Sequence, residues 1–155
     1  MSLLVTLKKK WEKSTQGTRG YIIYIILGFI LAYSFNVGLG YALSTDTPVV
    51  AVFSNSMVPE FYKGDMAVVE GVSDIRLGDI IVFDVPSRSV PIIHRIISIQ
   101  DGEIRTKGDN NPSIDPWITS KENVHGKVLF IIPGLGWVKI ICAEAGIPIC
   151  TVNVR

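Results

Sequence analysis

Cysteine and histidine are scarce in this chain of 155 residues, which has two of each: Cys142 and Cys150, His94 and His125. The cysteines lie together near the C-terminus, away from both histidines and without metal-ligand spacing, so no metal site is expected. They form a disulfide if that tail faces an oxidising compartment, or are buried thiols if it packs on lipid. An excess of charge of either sign is also missing. Fifteen Lys and Arg against fourteen Asp and Glu leave a net charge of +1, and beyond residue 60 the basic side chains are scattered. No nucleic-acid patch is expected. Internal repeats and low-complexity tracts are absent, and nothing in the inventory asks for a cofactor.

What is present begins with one long apolar run. Tyr21 to Leu43 carries no charged residue and has about the 20 residues needed to cross the hydrocarbon core as a helix. Before it stand Lys8, Lys9, Lys10, Lys13 and Arg19 against Glu12 alone, so the positive-inside rule places the N-terminus in the cytoplasm and the rest outside. A cleaved leader, with Gly40-Tyr41-Ala42 as its small-x-small site, is the weaker reading, because the run exceeds the roughly 7 to 15 residues of a leader's apolar core.

The remaining part, from residue 44, is long enough for one domain and its core. It reads as mainly β. Pro48–Phe53, Met66–Glu70, Asp79–Val85, Pro91–Gln100, Glu103–Lys107 and Val124–Ile132 are short runs rich in Val and Ile, punctuated by Gly, Pro, Asp and Ser. Asp101-Gly102 suits a two-residue hairpin turn, which would fold Lys107-Gly108-Asp109 back beside His94. From Leu135 onward the chain is apolar, yet it holds Lys139 and Glu144 and is broken by Gly146 and Pro148. Such charges make it a poor second span; it reads as a surface that packs on the domain or dips into the membrane interface, a position that suits Trp137.

Ser54-Asn55-Ser56-Met57-Val58-Pro59 supplies a nucleophile and Ile92-Ile93-His94-Arg95-Ile96-Ile97 a base. A serine hydroxyl needs a neighbouring group to take its proton, and histidine can accept that proton and then deliver it to a leaving amine. His125 follows a polar Lys-Glu-Asn turn and reads as a solvated strand start. Lys63 and Lys107 are the lysine alternatives, but each adjoins a Gly-Asp turn where exposure keeps an ammonium protonated.

This pattern resembles the type I signal peptidases, in their archaeal and endoplasmic-reticulum branch. Ser54 to Pro59 matches the nucleophile box, and Lys63-Gly64-Asp65 and Gly78-Asp79-Ile80-Ile81-Val82-Phe83 match its turn-and-strand boxes. His94-Arg95 stands where the bacterial branch has a lysine and an arginine. Lys107-Gly108-Asp109-Asn110-Asn111 followed by Asp115 is similar to the acidic box. The resemblance implies Ser56 as nucleophile, His94 as base and Asp115 as the orienting carboxylate. Asp109 is the rival carboxylate, although an aspartate in such a turn commonly caps its own backbone. Ser54 and the Ser56 N–H are the implied oxyanion donors.

Substrate would bind mainly through its backbone, as a strand lying between Val50-Ala51-Val52-Phe53 and Ile80-Ile81-Val82-Phe83-Asp84. That makes Ala51, Val52, Phe53, Ile81, Val82 and Phe83 the candidate contacts, and the resemblance implies shallow pockets for small residues in an Ala-x-Ala pattern. With 14 residues between His94 and Asp109, there is no room for the large inserted domain of many bacterial members. The expected organisation is a basic cytoplasmic segment (1–20), an anchor (21–43), a signal-peptidase-like β catalytic domain (44–134) and the apolar C-terminal segment (135–155). A location in the cell membrane follows, or in the endoplasmic reticulum of a eukaryote, with the domain extracytoplasmic and the site close to the outer membrane face. Signal peptides of secretory preproteins and the lipid bilayer are the expected partners, with the translocation channel or other peptidase subunits as further ones. The alternatives are a membrane-anchored protease acting on itself or a dedicated partner, and a non-catalytic peptide-binding module.

Overall fold

The computed structural model describes residues 5–6, 17–88 and 90–146; Cys150 lies outside them. The chain divides into two compact units, residues 1–39 and 40–155. The first is dominated by helix α1, Thr18–Ala42, which runs into the second unit. Consecutive apolar side chains such as Ile25-Ile26 and Phe29-Ile30-Leu31 are all exposed, so the helix is apolar around its circumference, as lipid-facing helices are. It is long and apolar enough to cross a membrane.

The second unit is built on one seven-stranded sheet, all of whose pairings are antiparallel. Its strands are β1 Val49–Ala51, β2 Met66–Glu70, β3 Ile80–Phe83, β4 Ile92–Gln100, β5 Glu103–Lys107, β6 Thr119–Ser120 and β7 Val124–Ile132. The spatial order is β1-β2-β7-β3-β4-β5-β6. The last strand therefore sits in the middle, and it alone joins the β1–β2 pair to the β3–β6 half. At the β4–β5 turn Asp101 and Gly102 have φ of 52° and 83°, the positive values a tight hairpin requires.

β3 is paired on both edges, to β4 and to β7, and Ile81, Val82 and Phe83 are each 0% exposed. Strand addition against it, which the sequence suggested, has no free edge to use. These three side chains are core: Ile81 and Phe83 pack with Val85, Ile92, Ile96, Ile104 and Val124, and Val82 packs with Ala67 and Val69. β1 does lie at the edge of the sheet.

The apolar C-terminal stretch forms helix α2, Trp137–Glu144, of 8 residues, too short to span a bilayer. Ile140 is fully buried, while Val138 and Ile141 face outward. The helix is docked on the turn after the Ser56 loop. The Trp137 indole lies where a Cβ on Gly64 would stand, Lys63 Nζ sits 5.6 Å from the ring centre and 3.6 Å from Glu144, and the Gly134 N–H donates to Asp65 Oδ1 at 3.0 Å. Cys142, on this helix, is in a disulfide.

Candidate active site

Ser56 stands in the connection between β1 and β2, whose base is closed by Val52 N–H to Asp65 O and Gly64 N–H to Val52 O, both 2.9 Å. Inside the loop the apolar residues Val52, Met57 and Phe61 are buried together, and Asn55 Oδ1 accepts from the Lys63 N–H at 2.8 Å. The Val58–Pro59 peptide bond is cis. Burying alternate parts of so short a loop leaves Ser54 and Ser56 at its lip, with their hydroxyls 3.1 Å apart. Among the described residues, no acceptor takes the Ser56 N–H.

His94 is set by strand alternation. Ile92, His94 and Ile96 share the buried face of β4, as period-two geometry demands, and Ile81 lies directly opposite His94 on β3. The imidazole, in a residue 6% exposed, places Nε2 3.1 Å from Ser56 Oγ and Nδ1 2.6 Å from Asp115 Oδ2. Donation from Nδ1 to the carboxylate leaves Nε2 as an acceptor aimed at the serine hydroxyl. Asp115, buried to the same degree, comes from the loop between β5 and β6. Its N–H donates to Thr106 O at 3.1 Å, and the Thr106 hydroxyl donates to Asp115 Oδ2 at 2.7 Å.

A second turn braces the serine. The Asn110 N–H donates to Ser56 O at 2.8 Å, and the Asn110 amide donates to Asn55 O at 3.1 Å. Asp109 does not cap its own turn, as its sequence context suggested. Instead Arg95 grips its carboxylate with Nε at 3.0 Å and Nη2 at 2.6 Å, the forked geometry that makes Arg–carboxylate pairs strong. The hydrogen bond to Asp109 holds the Arg95 pKa above its ordinary value. Arg95 also donates to Gly78 O at 3.0 Å, and Glu60 lies 3.4 Å away.

Gly108 lies beside His94. A Cβ there would fall 2.9 Å from His94 Nε2 and 2.7 Å from Ser56 O, distances side-chain carbons do not tolerate. The other basic candidates are elsewhere: Lys63 is engaged by Glu144 and Trp137, and Lys107 pairs across the hairpin with Arg95. His125 lies at the start of β7, as expected, but is half-buried, with Nε2 2.9 Å from Asp84 Oδ2. Of the suggested substrate contacts, Ala51 and Val52 are buried and Phe53 is 46% exposed. Sequence reasoning did not single out Thr106, Gly108 or Asn110 for roles at the site. A threonine on a strand reads as an ordinary β-former, and the Asn110 contact depends on a loop closure that no local pattern encodes.

A Peptidase S24-like family model matches residues 29–129, and the signal peptidase complex catalytic subunit SEC11 of Leptosphaeria maculans is 34% identical over 138 residues, covering 77% of this chain and 79% of that protein. The chain belongs to the type I signal peptidases. It is also similar to SEC11 of Komagataella phaffii, 32% identical over 131 residues with 73% and 77% of the two chains covered, and to SEC11C of Canis lupus familiaris, 34% over 139 residues with 77% and 72% covered. This signal peptidase is thus a serine endopeptidase of the endoplasmic-reticulum and archaeal type, mainly β in its catalytic part, with an apolar N-terminal helix suited to a membrane.

Proposed function

We propose that Ser56, His94 and Asp115 are the catalytic triad of a peptidase that removes N-terminal signal peptides from exported preproteins, cutting after small residues. The observation that carries this reading is the unbroken hydrogen-bond chain from Ser56 Oγ through His94 to Asp115. As Ser56 Oγ attacks the scissile carbonyl carbon, His94 Nε2 takes the hydroxyl proton and Asp115 stabilises the imidazolium. The developing oxyanion is met by the Ser56 N–H and the Ser54 hydroxyl. When the C–N bond breaks, His94 returns the proton to the leaving amine, which departs as the mature N-terminus. Water, deprotonated by the same imidazole, then hydrolyses the acyl-enzyme and frees Ser56.

Substrate adds as a strand at the sheet edge formed by β1, where backbone groups are open to pairing. Phe53 lies at the surface beside it. Residues 1–20 stay in the cytoplasm, 21–43 cross the bilayer, and the catalytic part lies outside. The basic N-terminal segment supports this orientation. The relatives are named as catalytic subunits of a signal peptidase complex, so further subunits are candidate partners alongside the preprotein and the bilayer. The test is cleavage, by detergent-solubilised full-length enzyme, of a preprotein with an Ala-x-Ala site, reading the new N-terminus. Wild type cuts after the second alanine and Ser56→Ala does not; a Ser56→Ala enzyme that still cuts there refutes the triad.

A further inference from the structure

Thr106 occupies a position where the fold asks only for an apolar side chain. On β5 it shares the buried face with Ile104, lies opposite Ile96 on β4, and is 1% exposed. Valine has the same shape and β-preference, without a hydroxyl that costs free energy to bury. The hydroxyl is used, and by one atom alone: Asp115 Oδ2, at 2.7 Å. That oxygen is the one that accepts from His94 Nδ1 at 2.6 Å. The two residues are tied a second time by the Asp115 N–H on Thr106 O at 3.1 Å.

From this double tie we infer that Thr106 is a positioning residue for the reaction, fixing the Asp115 carboxylate and tempering the charge on the oxygen that faces His94. The register explains how it can. Thr106 faces Ile96, and His94 is two residues before Ile96 on the same buried face, so Thr106 and His94 are diagonal neighbours across the β4–β5 pair. Asp115, arriving from a loop with no regular structure, meets both at once. Its backbone is held by the Thr106 carbonyl, and the rotation of its carboxyl group by the Thr106 hydroxyl. With that donor present, one lone pair of Oδ2 is engaged and less negative charge is concentrated against Nδ1. Without it, the carboxylate turns more freely and its unshared charge holds the imidazolium proton more tightly.

The inference rests on the triad reading, and the experiment separates the two. Wild type, Ser56→Ala, Thr106→Val, Thr106→Ala and Thr106→Ser are assayed as detergent-solubilised full-length enzymes on the same preprotein, with kcat and KM measured across pH and thermal unfolding recorded for each. Thr106→Val is expected to lose roughly ten- to a hundredfold in kcat, the worth of one hydrogen bond to a charged group, with KM unchanged. The acid limb of its kcat/KM profile is expected at higher pH than in wild type. Thr106→Ser, which keeps the donor, is expected to retain both the rate and the limb. Thr106→Ala serves as the donor-free variant if valine prevents folding. The inference is overturned by donor-free variants with wild-type kcat, by a loss of rate that follows thermal stability while the acid limb stays in place, or by a serine variant as impaired as the valine one. Residual cleavage by Ser56→Ala would instead overturn the triad reading beneath it.

Discussion

At the scale of single residues, the site depends as much on an atom that is missing as on those present. Gly108 leaves open the space in which His94 Nε2 and Ser56 O approach each other. A methyl group there must displace the base from the serine, and a shift of that kind costs about a hundredfold in turnover. Gly108→Ala is therefore expected to fold, by circular dichroism, and to lose roughly that factor in kcat. The two carboxylates differ in a related way. Asp115 touches the imidazole, whereas Asp109 touches only Arg95 among the charged groups around it. Asp115→Ala should cost on the order of 10⁴ in kcat, as loss of the triad aspartate does, and Asp109→Ala distinctly less; equal losses in two folded variants would refute that ranking. The sequence pointed to Ser56, His94 and Asp115 through the resemblance of their surroundings to the family's boxes, and the fold brings the three side chains into one hydrogen-bonded chain. Thr106 was not legible, since a buried threonine on a strand carries no mark of the hydroxyl's partner.

At the scale of elements, short hydrophobic runs bounded by turn residues gave β2, β5 and β7 to the residue, and Asp101-Gly102 gave the hairpin that puts Thr106 beside the β4 strand. The two-residue β6 is below what a pattern can register. Helix α2 was hidden because an apolar stretch flanked by glycines has no readable period until it has a surface to lie on. Arg95 and Asp109 become partners only when the hairpin closes, so the pair is a property of β4 and β5 together. If it acts by bracing the turn whose Asn110 holds Ser56, Arg95→Ala and Asp109→Ala should lose similar activity, and the double variant no more than either; additive losses in kcat would show independent roles. Within α2, partial burial lowers the pKa of Lys139 from 10.5. The unfolded chain binds that proton more readily, so the burden on stability is fully present at neutral pH and lifts as pH rises through 10.5. Lys139→Met is thus expected to unfold at a higher temperature than wild type at pH 7, with the difference shrinking under alkaline conditions. A difference that does not change with pH would assign the effect to packing instead.

At the scale of the whole molecule, an apolar helix and a β catalytic unit share one short chain. The enzyme is expected to resist alkaline extraction from membranes, and protease added to the extracytoplasmic face should digest the β unit while leaving the N-terminal lysines protected. Digestion of those lysines from that face would reverse the orientation. The sheet order carries a consequence for biosynthesis. Ser56 belongs to the β1–β2 half, His94 and Asp115 to the half running from β3 to β6, and β7, later in the chain than all of these, is the strand that joins the two halves. A polypeptide cut before Val124 keeps the Asn110 bond to Ser56 but lacks the strand that pairs with both β2 and β3. The alignment of Ser56 with His94 and Asp115 is therefore expected to be complete only once β7 has been synthesised, and a version cut before Val124 should cleave far less preprotein than the full-length enzyme.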